Sequence, residues 1–192
     1  MREAKMEIFQ KWQDKNTPTK HRIVAVIIGA LIFPISIPGI LVVLMPSLDD
    51  CLGFNSIYFG WGNIIVGAIL TISGGVVGIW TIIIQIHLAS GTPFPMLPTK
   101  KLLVVGPFKY CRKPMTLGTI MAYAGIAIWI GSVTALSAAA ILAAILICYL
   151  KLIEEKELLL RFGDEYMDYK KKTAFLIPIG VFVGRSPAKG RV

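Results

Sequence analysis

The sequence predicts an all-α membrane protein of about four transmembrane helices, the last two forming a C-terminal helical hairpin. Three observations carry this reading. Hydrophobic residues make up 55 % of the 192-residue chain and charged ones 16 %, with a mean hydropathy of +0.70, a balance unsuited to a soluble globule. Apolar runs long enough to cross a ~30 Å hydrocarbon core recur along the chain. Finally, Lys and Arg are segregated. Six of the twenty precede the first apolar run, five lie between Lys100 and Lys113, and nine follow from Lys151 onward, while the connections around 46–61 and 131–134 carry none. That is the positive-inside pattern for an even number of spans with both termini cytoplasmic. The net charge of +9 therefore reads as membrane topology, and nucleic acid is not an expected partner.

Three regions follow: a cytoplasmic N-terminal segment at 1–22, a transmembrane domain at 23–161 with a cytoplasmic loop at 89–113, and a cytoplasmic or interfacial segment at 162–192. The first twenty or so residues are polar, whereas a secretory signal brings its apolar core sooner, so the first span is expected to be retained. That span covers about Ile23 to Met45. Pro34, Pro38 and Gly39 in its middle predict a kink or break. The following loop, with Asp49 and Asp50, faces outward, and Tyr58 and Trp61 suit an interfacial aromatic belt. The second span runs from about Asn63 to His87. Its pairs Gly67–Thr71 and Gly74–Gly78 are faces on which helices approach closely.

Pro114 suits the first position of a helix, which runs to about Ile130, turns at Gly131-Ser132 and returns from Val133 to about Arg161. A tight turn makes the two helices antiparallel, so Glu154 comes back to the membrane face that carries Arg112. Gly163 reads as a helix stop and Asp164 as the cap of a further short helix. Phe162, Tyr166 and Tyr169 form an aromatic stripe. Lys170 to Lys172 and the apolar run after them suit anionic headgroups and the acyl boundary. Cys51, Cys111 and Cys148 form no disulfide framework and no zinc spacing, and no metal is expected. Cys148 reads as a buried free thiol, and Cys111 as a thiol in the polar stretch.

That stretch, Gly91 to Gly118, is rich in proline, glycine and cations. Lipid leaves non-helical backbone unsatisfied and penalises charge, so it cannot be a span. Free N–H groups at the start of a helix, with Arg112 and Lys113, favour an anionic group. Glu154 and Glu155 across the hairpin favour a cation or amine. A ligand carrying both signs fits, and so does a purely structural Arg112–Glu155 pair.

The ordered set Leu103, Val104, Val105, Gly106, Pro107, Phe108, Tyr110, Arg112, Pro114, Met115 and Gly118, followed by Glu154, Glu155 and Phe162 to Tyr166 with Tyr169, resembles the C-terminal half of the isoprenylcysteine carboxyl methyltransferases. The wider group includes phospholipid and small-thiol methyltransferases. The resemblance covers Gly91 to Tyr169. It implies S-adenosylmethionine held at the cytoplasmic face by Leu102, Leu103, Phe108, Lys113, Pro114, Met115 and Glu154. It also implies a methyl acceptor delivered from the bilayer (a lipid, a prenyl-cysteine or a small hydrophobic thiol or carboxylate), with Arg112 and Glu155 as catalytic residues. Lys113 stands where the family often has His, Phe108 where Tyr is usual, and Thr116 where a second Tyr is common. Two alternatives remain at this point: a non-catalytic membrane scaffold or lipid-binding protein of the same fold, and a membrane reductase using NADPH.

Overall fold

A computed structural model describes residues 35–89, 102 and 104–177. Among these residues the chain is helical and no strand forms; one isolated bridge pairs Cys111 with Ala174. Helix α1 spans Ile37–Leu52, α2 Trp61–Ala89, α3 Pro114–Ile130, α4 Val133–Tyr149 and α5 Glu155–Lys172, with a 3₁₀ turn at Gly106–Lys109 and a π turn at Leu150–Glu154 joining α4 to α5. Two helical stretches, Trp61–Gln85 and Val133–Lys172, are long and apolar enough to cross a membrane, and Pro114–Ile130 is a shorter apolar helix. At 1.5 Å per residue the last is about 25 Å long, a little under a full hydrocarbon core.

The first expected span departs from its reading. Its N-terminal part, 23–34, lies outside the described residues. Pro38 sits in the first turn of α1, where a proline lacks no useful N–H. The helix then runs through Pro46 to Leu52, so Asp49 and Asp50 belong to a helix and not to a loop. Polar partners from a distant segment hold this end. The Thr134 backbone N–H donates to Asp49 Oδ1 at 3.0 Å and its hydroxyl donates to the Met45 carbonyl at 2.7 Å. Asp49 thus caps α4 from another helix, beside the local cap in which Ser132 accepts from the Ala135 N–H.

Helices α2 and α3 meet through glycine. A Cβ on Gly67 would stand 2.7 Å from the Gly125 carbonyl oxygen, and one on Gly74 would stand 2.5 Å from that of Gly118. From the other side, a Cβ on Gly125 would meet Thr71, and one on Gly118 would meet Gly74 and Gly78. The two small-residue pairs expected on α2 therefore face a matching Gly118–Gly125 stripe on α3, and the backbones pack directly. The hairpin turns where expected. Gly131 takes φ 72, a left-handed conformation that favours glycine, and its N–H closes the last turn of α3. Asn63, buried in the first turn of α2, ties this end together. Its amide donates to the carbonyls of Ile57 (2.7 Å) and Ile128 (3.0 Å), and its oxygen accepts from the Phe59 N–H at 2.9 Å. The buried core joins Leu41 of α1, Tyr123 and Ala127 of α3, and Ala135 and Ala139 of α4. Ile65, Ile69, Ile72, Val76, Ile79 and Ile83 stand exposed along the remaining side of α2, as suits a helix that faces lipid.

Candidate functional site

The site lies at the end of the bundle opposite the Asp49 cap, and two segments build it. The first is the chain entering α3. Val105 is extended, Gly106 turns at φ 57, and the 3₁₀ turn Gly106–Lys109 follows with Pro107 buried at its start. Gly106 takes a left-handed φ that favours glycine and packs against the Ile84 and Trp80 side chains of α2. Tyr110 and Cys111 each donate a backbone N–H to the Pro107 carbonyl, at 3.1 and 3.2 Å. Arg112 and Lys113 then lead into Pro114, which is buried at the first turn of α3.

The second segment is the passage from α4 to α5. The π turn at Leu150–Glu154 accommodates an extra residue before Glu155 resumes an α-helix. Across the gap, Arg112 Nη1 donates to Glu155 Oε1 at 2.5 Å, and Lys113 Nζ to Glu154 Oε1 at 2.5 Å. The Arg112, Lys113 and Glu155 side chains are 8 %, 8 % and 11 % exposed, whereas Glu154 is 33 % exposed. Two ion pairs so enclosed do little for stability, because desolvation offsets their attraction, but removing one partner leaves a buried charge.

A third element, the segment after Gly163, completes the enclosure; the sequence had brought Tyr166 and Tyr169 into the resembling set without giving either a role. Helix α5 breaks at Gly163 (φ 52, ψ −125), where the sequence had placed a helix stop. Beyond the break, Lys170 Nζ donates to Glu155 Oε2 at 2.7 Å and the Tyr166 hydroxyl accepts from Arg112 Nη1 at 3.2 Å. The Tyr169 hydroxyl donates to the Phe108 carbonyl at 2.6 Å. The Arg112 backbone N–H donates to the Ala174 carbonyl at 2.9 Å. Both Arg112 and Lys151 lie over the Phe175 ring, at 5.4 and 5.3 Å. Burial pushes the Tyr166 hydroxyl up, reinforced by Glu155 and opposed by Arg112. Burial also raises Tyr169, with nearby Cys111 adding to the effect, so both phenols keep their protons at neutral pH.

Of the residues singled out from sequence, Arg112, Lys113, Glu154 and Glu155 form one network, and Phe108 joins it through its carbonyl. Leu102 and Met115 are half-buried at the two ends of the loop, outside this network, while Leu103 lies outside the described residues. The expected aromatic stripe divides. Tyr166 and Tyr169 are buried with ring centroids 6.3 Å apart, but Phe162 stands beside Arg161. Lys170, expected at lipid headgroups, turns to Glu155, and Lys171 pairs with Asp168. Cys111 is buried and its thiol is raised by that burial; Cys148 is exposed on its helix and not buried as the sequence suggested.

Chemically, the arrangement presents both signs of charge within one enclosure. Arg112 Nε is a buried N–H with no partner among the described residues, so one guanidinium donor remains to be satisfied. A family model described as phospholipid methyltransferase matches residues 62–165, more than half of the chain, from Gly62 near the start of α2 into α5. No curated protein and no solved structure matches the chain.

Proposed function

The chain belongs to the phospholipid methyltransferase family, and from that premise we propose a multi-pass membrane methyltransferase that takes its methyl group from S-adenosylmethionine at the cytoplasmic face. On this reading four helices cross the bilayer and both termini are cytoplasmic. The acceptor is a lipid, a prenyl-cysteine or a small hydrophobic thiol or carboxylate. The observation that supports it is the paired arrangement of Arg112–Glu155 and Lys113–Glu154, with one Arg112 donor left over.

That donor set suits the amino-acid end of the cofactor, which carries a carboxylate and an ammonium. Arg112 Nε would take a carboxylate oxygen, and the partly exposed Glu154 would take the ammonium. Leu102, Leu103, Phe108, Lys113, Pro114 and Met115 would complete the binding set. When bound, the cofactor supplies a methyl group already activated by its sulfonium. The chain's own task is then to hold the acceptor in line and to keep water out. Glu155 stands to take a proton from an amine acceptor, while a carboxylate or thiolate acceptor needs no such base.

The test is equilibrium binding of S-adenosylmethionine to the purified protein in detergent, with S-adenosylhomocysteine as competitor. Glu154→Ala and Arg112→Ala should each weaken binding about 10-fold or more, since a hydrogen bond to a charged group contributes about 1.5–3 kcal/mol. Lys170 keeps Glu155 paired in the Arg112 variant, and a melting curve verifies that each variant is folded. Normal binding by both folded variants would remove the assignment. Absence of binding by the folded wild-type protein would favour a membrane scaffold that has kept the fold without the chemistry.

A further inference from the structure

The cationic side of the site is covered: Cys111, Lys113, Tyr166, Tyr169 and Thr173 are all 7 % exposed or less, and the Arg112 and Lys113 side chains present little surface to a charged ligand among the described residues. The covering element is the segment after Gly163. It grips the other two segments through discrete contacts: Tyr169 to the Phe108 carbonyl, Tyr166 to Arg112, Lys170 to Glu155, and the Ala174 carbonyl to the Arg112 N–H. Three of these hold residues of the proposed site by their side chains or carbonyl. The segment joins the bundle at a residue with non-helical dihedrals, around which nothing lies within 4 Å of where a Cβ would stand. These polar bonds, with the buried Tyr166 and Tyr169 rings and the Phe175 ring under Arg112 and Lys151, make a latch, and the uncrowded glycine makes a hinge.

We propose that Asp164–Ile177 is a hinged arm, turning at Gly163, that seats Phe108, Arg112 and Glu155 when it is down and lifts to exchange the ligand. Tyr166, Tyr169 and Lys170 are then positioning residues. The proposal rests on the methyltransferase reading for the identity of the ligand, but the motion itself does not.

Cys111 supplies the probe. It is buried where it pairs with Ala174, so it becomes reactive when the arm lifts. In a Cys51→Ser, Cys148→Ser protein, the rate of maleimide labelling at Cys111 reports opening with no ligand present. Tyr169→Phe and Lys170→Ala each remove one latch bond and should raise that rate several-fold at unchanged melting temperature. Adding Ala174→Cys creates a lock. Cα atoms across a bridge lie about 4.8 Å apart, within the roughly 4.4–6.8 Å that a disulfide spans. The oxidised protein, with the disulfide verified by mass, should take up and release S-adenosylmethionine at least 10-fold more slowly than the same protein after reduction.

Equal exchange rates in the oxidised and reduced forms would overturn the proposal. So would labelling that ignores both latch variants. If labelling responds to the latch but neither form binds S-adenosylmethionine, the hinged arm stands and the cofactor reading falls.

Discussion

Gly74 and Gly75 are neighbours in sequence with opposite surroundings, which makes them a controlled test of how α2 and α3 are joined. A Cβ on Gly74 would lie 2.5 Å from the Gly118 carbonyl oxygen, 2.6 Å from the Ala122 nitrogen and 3.0 Å from the Met121 Cβ. The nearest obstacles are backbone, which cannot swing aside. To restore the ~3.5 Å of ordinary contact the helices must part by roughly 1 Å. Overpacking of this kind costs about 1–3 kcal/mol, and a backbone obstacle puts it at about 2–3. A Cβ on Gly75 meets nothing within 4 Å. Both substitutions gain the same helix propensity, about 1 kcal/mol, so the difference between Gly74→Ala and Gly75→Ala isolates the packing term. For a chain of this length about 2–3 kcal/mol corresponds to roughly 4–12 °C in melting temperature. Thermal unfolding in one detergent, followed by intrinsic fluorescence, should place Gly74→Ala below Gly75→Ala by that amount. The parted helix is also the one that carries Lys113 and Pro114 at its start, so binding at the site should weaken alongside. Should the two variants melt together, direct backbone packing of α2 on α3 would be refuted.

Two further outcomes follow from groups outside the bundle interface. Asp49→Ala removes the cap that α1 provides for α4 and should lower the melting temperature, while Asp49→Asn keeps an acceptor and should lower it less; indistinguishable melting of Asp49→Ala and wild type would dismiss the cap. Burial raises the Cys111 thiol above its ordinary value, so at any pH from 7 to 9 its thiolate fraction is smaller than that of a free cysteine. Alkylation of Cys111 should therefore lag behind that of exposed Cys51 throughout this range, and should climb as pH rises towards the raised value. Equal alkylation rates at pH 8, resolved by peptide mass, would contradict the burial.

Much of the site was legible because its determinants are local. Gly131 and Ser132 announce a tight turn, and an antiparallel hairpin then obliges Arg112 and Glu154 to share one end. The small-residue spacing on α2 was equally readable, although its partners Gly118 and Gly125 were not, since contact between helices leaves no mark on either one alone. The first span was expected to end near Met45, but a proline removes only one bond of the ladder, so the helix runs through Pro46 to Leu52 and its Asp49 is held from Thr134, 85 residues away. Lys170 was read with its two neighbours as a headgroup-binding cluster. Which of three adjacent lysines turns inward depends on where the break at Gly163 aims the chain, and a break fixes an angle that residue types do not encode. The pairing itself, Arg112 with Glu155 and Lys113 with Glu154, stayed open for a similar reason.

The π turn before Glu155 sets the phase of everything after it. A regular α-helix advances about 100° per residue, so one additional residue absorbed at Leu150–Glu154 rotates the following acidic residues by roughly that angle relative to the apolar face of α4. A continuous α-helix of the same composition would present Glu154 and Glu155 on a different azimuth, away from Arg112 and Lys113. The acidic side of the enclosure is thus positioned by a count of residues as much as by their identity. Closing this turn into a regular α-helix with every residue kept would turn the carboxylates out of register without altering either of them.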